Sequence, residues 1–229
     1  RSGLTPTDIG ADAGNFGLIG VDVGLTVLVA PAAVTGCLTA TEAVTVTLKN
    51  FGVNLIDFSV NPVSVTVFRN EGGYTSTVNI NSGTLASNGT QNVSMATIDM
   101  TANGTYTFKG AAIVSGDVSL LNDSLPPTVR TVNSLGGTYP VGIGHTYTKL
   151  SEAATAYNAA TCITGPIVFE LTDASYTDSL ITFNHNIQAN ATNTVTVKPA
   201  TGVNATISTS AVSTAAYIIK LNGADYVTI

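Results

Sequence analysis

Three acidic residues in the second half of the chain are the first candidates for chemistry: Glu170, Asp173 and Asp178. A pair of carboxylates can cleave a glycosidic bond, one acting as the acid and the other as base or nucleophile. Glu170, however, alternates with Phe169 and Leu171, as a solvent-facing strand residue does. Positive partners for acidic-sugar chemistry are missing from the neighbouring sequence. We therefore expect a solvated acidic face and predict no catalytic residue.

Signals for metals and cofactors are sparse. His145 and His185 lie 40 residues apart, and neither has a Cys, His or carboxylate at the spacing of a metal site. Asp8 and Asp12 are calcium candidates, because carboxylates combined with backbone carbonyls can hold this ion. Gly142-Ile143-Gly144 provides two of the three glycines of a dinucleotide fingerprint, without the strand–turn–helix context. We expect a loop at these glycines, no cofactor, and no metal beyond the calcium candidates.

The chain contains two cysteines, Cys37 and Cys162, which fall in different predicted modules. In an oxidising compartment two such residues can pair, and a bridge would then join the modules. The alternative is two buried free thiols. Both possibilities stay open on the sequence.

The composition favours a β-rich protein with few surface charges. Hydrophobic residues make up 44% of the 229 residues and charged residues 10%, against about a quarter charged in ordinary domains. An intrinsically disordered chain, which is poor in apolar residues and highly charged, is excluded. Lys and Arg number 8 and the net charge is −6, so we expect no nucleic-acid partner. No run of 18 apolar residues occurs, and we expect no membrane insertion.

Alternating apolar residues predict strands throughout residues 19–122. The clearest runs lie at 21–29, 43–49 and 63–67, where every second residue is apolar. Further strand candidates cover 74–80, 92–100, 105–114 and 117–121, with turns rich in Gly and Asn between them. About seven strands with a turn every 8–12 residues are typical of an immunoglobulin-like sandwich. We predict such a sandwich over 19–122, in an all-β protein.

The pattern changes after residue 122. Leu125-Pro126-Pro127 predicts a stiff linker within 123–136, because a Pro pair cannot continue a strand ladder. An apolar stripe from Leu150 to Tyr157 at helical spacing predicts a helix, with Thr148 as its N-cap. Short apolar strands then recur at 167–171, 195–197 and 217–221, roughly 23–28 residues apart, as in a β-solenoid. We predict a capping helix and the first coils of a right-handed parallel β-helix over 137–229.

Several stretches resemble the giant modular surface proteins of Bacteroidota, of the gliding and adhesin type. Arg1-Ser2-Gly3 and 8–12 resemble the end of a β-helix module in these proteins. Their Ig-like, adhesion-related repeat is resembled by 42–52, Gly116-Asp117 and 122–125. The opening of their pectate-lyase-like β-helix module is resembled by 134–137, Tyr139, 150–153, 163–167 and 221–229. The resemblance implies this order of modules along the chain, with 1–18 as the end of the first. Residue 1 is Arg and 226–229 lie within a strand pattern, so we expect an internal piece of a longer protein.

The resemblance also implies modification and export. Asp123-Ser124-Leu125 and Asp178-Ser179-Leu180 resemble the Asp-Ser/Thr-apolar acceptor that Bacteroidota use for O-glycosylation. Ser124 and Ser179 are therefore O-glycosylation candidates. Turn chemistry of an Asp-Ser pair is the alternative at each. An extracellular, cell-surface location reached by type IX secretion would follow.

The leading functional hypothesis is a structural, adhesive segment of a long surface protein or filament, without enzymatic activity. Its partners would be neighbouring modules of the same chain, other copies in a filament, and surface polysaccharide or other cells. One alternative is a spacer joined to the start of a polysaccharide lyase or hydrolase. The other is a subunit that assembles by stacking its open strands on another molecule.

Overall fold

The computed structural model describes residues 20–33, 36–209 and 216–229. These residues are mostly strand, with one helix among them, which confirms the all-β class in its general form. They divide into two compact units. The first unit holds 20–32, 41–98 and 105–130, and the second holds 33, 36–40, 99–104, 131–209 and 216–229. The module end predicted over 1–18 lies outside the described residues.

Antiparallel pairing dominates the first unit. Its strands are β1 (Val23–Ala30), β2 (Thr45–Asn50), β3 (Ile56–Asp57), β4 (Val63–Arg69), β5 (Thr75–Ile80), β6 (Thr84–Leu85), β7 (Thr90–Ser94), β8 (Gly104–Val114) and β9 (Ser124–Val132). Among the described residues the sheets run in the orders β1-β2-β7, β5-β4-β8-β9 and β3-β6. The pairs β1–β2, β2–β7, β4–β5 and β4–β8 are antiparallel.

The predicted alternation in β2 and β4 is confirmed. Val46 and Leu48 of β2 are fully buried, while Thr47 between them is partly exposed. Val63, Val65 and Val67 of β4 are likewise buried. Side chains on a strand point to opposite faces in turn, so one face of each strand packs into the interior.

Two strand boundaries and the linker differ from expectation. Within 117–121 the structure has only an isolated bridge from Asp117 to Val21, followed by turn and bend, and β7 ends at Ser94. Most of the segment predicted as a linker forms β9, which contains Pro126 and Pro127. Because β9 lies at the edge of its sheet, a proline there need not donate to a neighbouring strand, and edge strands are where sheets tolerate proline.

The acid sensitivity of the first unit should depend on Glu71. Its carboxylate accepts the Thr107 backbone N–H at 3.0 Å and the Arg69 side chain at 3.3 Å. The Thr107 hydrogen bonds lower the pKa of Glu71 from 4.5 to about 2. A lowered folded-state pKa gives stability that is present above pH 4.5 and is lost as the pH falls towards 2.

We therefore expect Glu71→Gln to flatten the fall in unfolding free energy between pH 4.5 and 2, the interval set by this pKa. Urea unfolding at several pH values measures this slope. Asp225→Asn, at an exposed carboxylate of the second unit, is the matched change of charge. An unchanged acid slope in Glu71→Gln would contradict the assignment.

Parallel pairing dominates the second unit. Its elements are β10 (Ser134–Val141), α1 (Leu150–Ala159), β11 (Cys162–Leu171), β12 (Ser175–Thr177), β13 (Ile181–Asn184), β14 (Val195–Pro199), β15 (Thr206–Ser208), β16 (Ile219–Asn222) and β17 (Val227–Thr228). Within the described residues the sheets run β10-β11-β14-β17, β12-β15 and β13-β16. Every pair in these sheets is parallel.

Each pass of the chain lies in register on the pass before it. Ile167 of β11 pairs with Val195 of β14, which in turn pairs with Val227 of β17. Asn184 and Asn222 occupy matching positions of β13 and β16, and their side-chain amides bond at 2.8 Å. Parallel neighbours need a crossover, and here β12 and β13 lie between β11 and β14.

The helix confirms the predicted apolar stripe but not the predicted cap. Leu150, Tyr157 and the two alanines at 153 and 154 are buried. The N-cap is Lys149, so Thr148 lies one residue too early. The Thr148 hydroxyl donates to Glu152 at 3.0 Å instead of accepting a helix N–H. Glu152 also accepts the backbone N–H groups of Thr148 and Lys149, at 2.7 and 3.3 Å.

The Asn158 side chain of α1 forms hydrogen bonds with backbone groups along one edge of β13. Its amide nitrogen donates to the Thr182 carbonyl at 2.7 Å, and its amide oxygen accepts the Asn184 N–H at 2.9 Å. These are the bonds that another strand would make with β13. One side chain of the helix thus completes part of the ladder and protects an otherwise unpaired edge.

We expect Asn158→Ala to lower the stability of the second unit by about 1–2 kcal/mol, because two hydrogen bonds are lost at a partly solvated edge. Urea unfolding would measure this loss. Asn204→Ala, at an exposed asparagine of the same unit, should change stability by less than about 0.5 kcal/mol. Equal effects of the two substitutions would contradict the role of Asn158.

Candidate functional site

A polar groove lies at the start of α1 in the second unit. It has a volume of about 360 Å³, and its lining includes Ile143, Lys149, Asp173, Ser175, Tyr176 and Thr177. Alternation along β12 produces the floor and one wall. Tyr176 points inward and is 4% exposed, whereas the serine and threonine on either side of it are exposed.

Hydrogen bonds fix the walls of the groove to each other. The Tyr176 hydroxyl donates to the Val141 carbonyl at 2.6 Å and accepts the Asp173 N–H at 2.9 Å. One oxygen of Asp173 accepts the Ile143 N–H at 2.8 Å. These bonds tie the turn after β10 to the turn after β11.

Gly142 makes the close approach of these turns possible. Its φ of +155° lies in the region that favours glycine. A Cβ at this position would collide with Thr172 and would lie 2.9 Å from the Asp173 carboxylate. The glycines that first suggested a cofactor fingerprint therefore have a local role in the shape of this loop.

Three side chains of the groove are available to a ligand. Within the described residues, the Ser175 and Thr177 hydroxyls have no hydrogen-bond partner. The Lys149 ammonium lies in the same lining, and its charge also acts on the Glu152 carboxylate. The second oxygen of Asp173 is another acceptor beside them. Donors and acceptors thus lie together on a preformed surface, as at sites that bind polar ligands.

The three predicted acidic candidates have separate surroundings. Asp173 lines the groove. Glu170 lies 3.6 Å from Lys198, its register neighbour on β14. Asp178 is 7% exposed and accepts the N–H groups of Ser151 and Ser179, both at 2.9 Å. Lys198 is the positive neighbour that the linear sequence did not reveal, because pairing with β14 brings it beside Glu170.

The histidines do not share a site. The His145 N–H donates to the Gly142 carbonyl within a turn. His185 is exposed, and its Nδ1 lies 3.9 Å from Asp225. Within ranges 20–33, 36–209 and 216–229, no group of three His, Cys, Asp or Glu side chains is arranged to hold a metal ion. The calcium candidates Asp8 and Asp12 fall outside those ranges.

Cys37 and Cys162 form a disulfide, with their Cα atoms 4.6 Å apart. Both cysteines belong to the second unit, because the segment around Cys37 is grouped with it. The expectation that a bridge would join two modules is therefore wrong. No periodic pattern marks the segment around Cys37, so its grouping was not visible in the sequence.

The two O-glycosylation candidates differ in exposure and stay predictions. Ser124 is exposed at the start of β9, while Ser179 is partly buried beside Asp178. Next to Ser124, one Asp123 oxygen is buried and has no hydrogen-bond partner among the described residues. Burial first, and then the Asp117 and Asp22 carboxylates, raise the pKa of Asp123.

No family model and no curated protein matches this chain. Among solved structures, a domain of a provisionally named cell surface protein from Methanosarcina acetivorans is 22% identical. That match covers 50% of this chain and 92% of the other, with a TM-score of 0.33. No helix in the described ranges has the length and apolar character needed to cross a bilayer.

Two further structural matches involve enzymes. An alkylpurine DNA glycosylase from Pseudomonas fluorescens is 15% identical, over 49% of this chain and 30% of that one, with a TM-score of 0.27. A GH20 exo-β-N-acetylglucosaminidase from Vibrio harveyi is 10% identical, over 66% and 31%, with a TM-score of 0.25. All three TM-scores are below 0.5, so none of these likenesses carries an argument about this chain.

Proposed function

We propose that this chain is a non-enzymatic, structural and adhesive segment of an extracellular cell-surface protein or filament. The observation that carries the proposal is the Cys37–Cys162 disulfide. Such bridges persist in oxidising environments, which include the cell surface and the extracellular space. The low charge content, 10% of residues, leaves hydroxyl and amide groups as the main polar groups on the outer surface.

The fold assignments in this proposal are an Ig-like sandwich for the first unit and the start of a parallel β-helix for the second. The antiparallel sheets of the first unit support the sandwich. In-register parallel pairing from β11 to β14 to β17 supports the β-helix. Stacked coils of this type contact only their neighbours and build stiff, extended bodies, which suits a mechanical role.

The test uses the native product of the cells that make this protein. Antibodies would detect it on a denaturing gel, before and after chemical removal of sugars and after protease treatment of intact cells. We expect a product much larger than the 23.3 kDa of this chain. Its apparent mass should fall after sugar removal, and protease added to intact cells should degrade it. A product that resists protease until the cells are lysed would overturn the surface location.

A further inference from the structure

We infer that the groove at the start of α1 binds a neutral saccharide through Ser175, Thr177, Lys149 and Asp173. The inference rests on the proposed function, because it names the ligand class and the site of an adhesive segment. Its starting point is a preformed groove where two β12 hydroxyls, without hydrogen-bond partners in the described residues, lie with Asp173 and with Lys149, the N-cap of α1.

The chemistry of the lining selects a polyhydroxylated ligand. Ser175 and Thr177 each offer a hydroxyl that can donate and accept, Lys149 only donates, and Asp173 only accepts. A sugar hydroxyl both donates and accepts, so one ligand can satisfy all four groups. Ile143, 86% exposed at the rim, adds an apolar surface for the C–H face of a sugar ring.

Charge favours a neutral sugar over a polyanion. The lining includes one ammonium and one carboxylate, so its formal charges sum to zero, and the nearby Glu152 carboxylate also acts on Lys149. The whole chain has a net charge of −6, which repels an anionic polymer at long range. The cation and the anion are therefore better explained as hydrogen-bonding groups than as a site for an acidic sugar.

In a second groove of the same unit, the side-chain amides already form hydrogen bonds within the fold. It is lined by residues that include Asn158, His185 and Asn186. Asn158 is bonded to β13, and the Asn186 amide donates to the carbonyls of Tyr157 and Ala160. Those amides are bonded within the fold, whereas the Ser175 and Thr177 hydroxyls have no hydrogen-bond partner in the described part of the chain.

Binding by a single groove should be weak. The groove is open, and Tyr176, which forms its floor, is buried, so the ring of Tyr176 is not available for stacking. We expect a Kd of about 1 mM, typical of a few solvent-exposed hydrogen bonds. Repetition of the segment along a surface protein would raise the avidity by about 10²–10⁴.

The test is an NMR titration of the isotope-labelled whole chain with three probes: maltopentaose, mannopentaose and tetragalacturonate. We expect one of the neutral pentasaccharides to shift the backbone amide signals of Ile143, Ser175 and Thr177. Ser175→Ala/Thr177→Val should weaken that binding about tenfold, because two hydrogen bonds are removed. Lys149→Gln is a second, independent variant and should weaken it at least about threefold.

Thr196→Val/Thr228→Val is the matched control. These two threonines pair in register on β14 and β17, so the control removes two strand hydroxyls from another sheet of the same unit. The affinity of this control variant for the neutral pentasaccharide should equal that of the unmodified chain. Absence of shifts with both neutral probes, shifts away from the groove, or binding of tetragalacturonate alone would overturn the inference.

The titration and the cell experiment have independent outcomes, so each tests a different claim. Surface exposure with no neutral saccharide bound would overturn the groove assignment and leave the proposed function standing. Saccharide binding by a protein that stays protected inside cells would overturn the surface role and leave the groove assignment standing.

Discussion

Removing the Cys37–Cys162 disulfide should destabilise the second unit by about 3–5 kcal/mol, one of the two largest effects that we expect. The two residues are 125 positions apart, so the bridge closes a long loop. In the chain-entropy account, a loop of that size restricts the unfolded ensemble by more than 4 kcal/mol. The midpoint of thermal unfolding should fall by roughly 10 °C.

Cys37→Ala/Cys162→Ala tests this without burying a new polar group. Calorimetry gives the midpoint, and amide exchange at β11 shows whether the loss falls on the second unit. Reductant should destabilise the unmodified chain and have no effect on the double variant. Equal midpoints for the two proteins would show that the bridge contributes nothing to stability.

The second large effect should come from Phe169→Ala, at about 3–5 kcal/mol. Phe169 is fully buried, and its ring centroid lies 6.0 Å from that of Tyr139 and 6.4 Å from that of Phe183. Phe183 in turn lies 5.7 Å from Tyr157 of the helix. Truncation would leave a cavity where β10, β11, β13 and α1 meet, and close-packed interiors fill such cavities only in part.

Phe68→Ala is the control for this substitution. Phe68 is also a strand phenylalanine, but it is 37% exposed. Its truncation should cost about 1 kcal/mol or less, as expected for a residue that already contacts water. Urea unfolding of the two variants measures the difference. Equal losses would contradict the assignment of the Phe169 cluster as the core of the second unit.

Periodicity in the sequence predicted the longer elements. In β2 and β4 each strand buries a single face, so alternation directly reports burial. In α1 the apolar stripe from Leu150 to Tyr157 likewise marks the buried face of the helix. In these elements one local rule decides which side chains are buried.

The elements that were missed depend on tertiary context. β12 and β15 have three residues each, too few to show a period. β9 contains a proline pair that only an edge position tolerates. The sequence could not place Lys198 beside Glu170, because this contact depends on the register between β11 and β14.

The candidate groove shows the same limit. The sequence drew attention to Asp173 as an acid and to Gly142 as part of a cofactor fingerprint. Both residues lie at the groove, in roles that the sequence did not indicate. One oxygen of Asp173 accepts the Ile143 N–H, and the lack of a side chain at Gly142 leaves room for Thr172 and Asp173. Ser175-Tyr176-Thr177, polar on both sides of a buried ring, was the available signal.

The most direct test of the surface role is binding of monovalent antibody fragments, raised against this chain, to living cells that make it. We expect the fragments to label intact cells and to reduce the attachment of those cells to a polysaccharide-coated surface. Fragments against a cytosolic protein of the same cells are the control. Labelling that occurs only after the cells are broken would contradict the account.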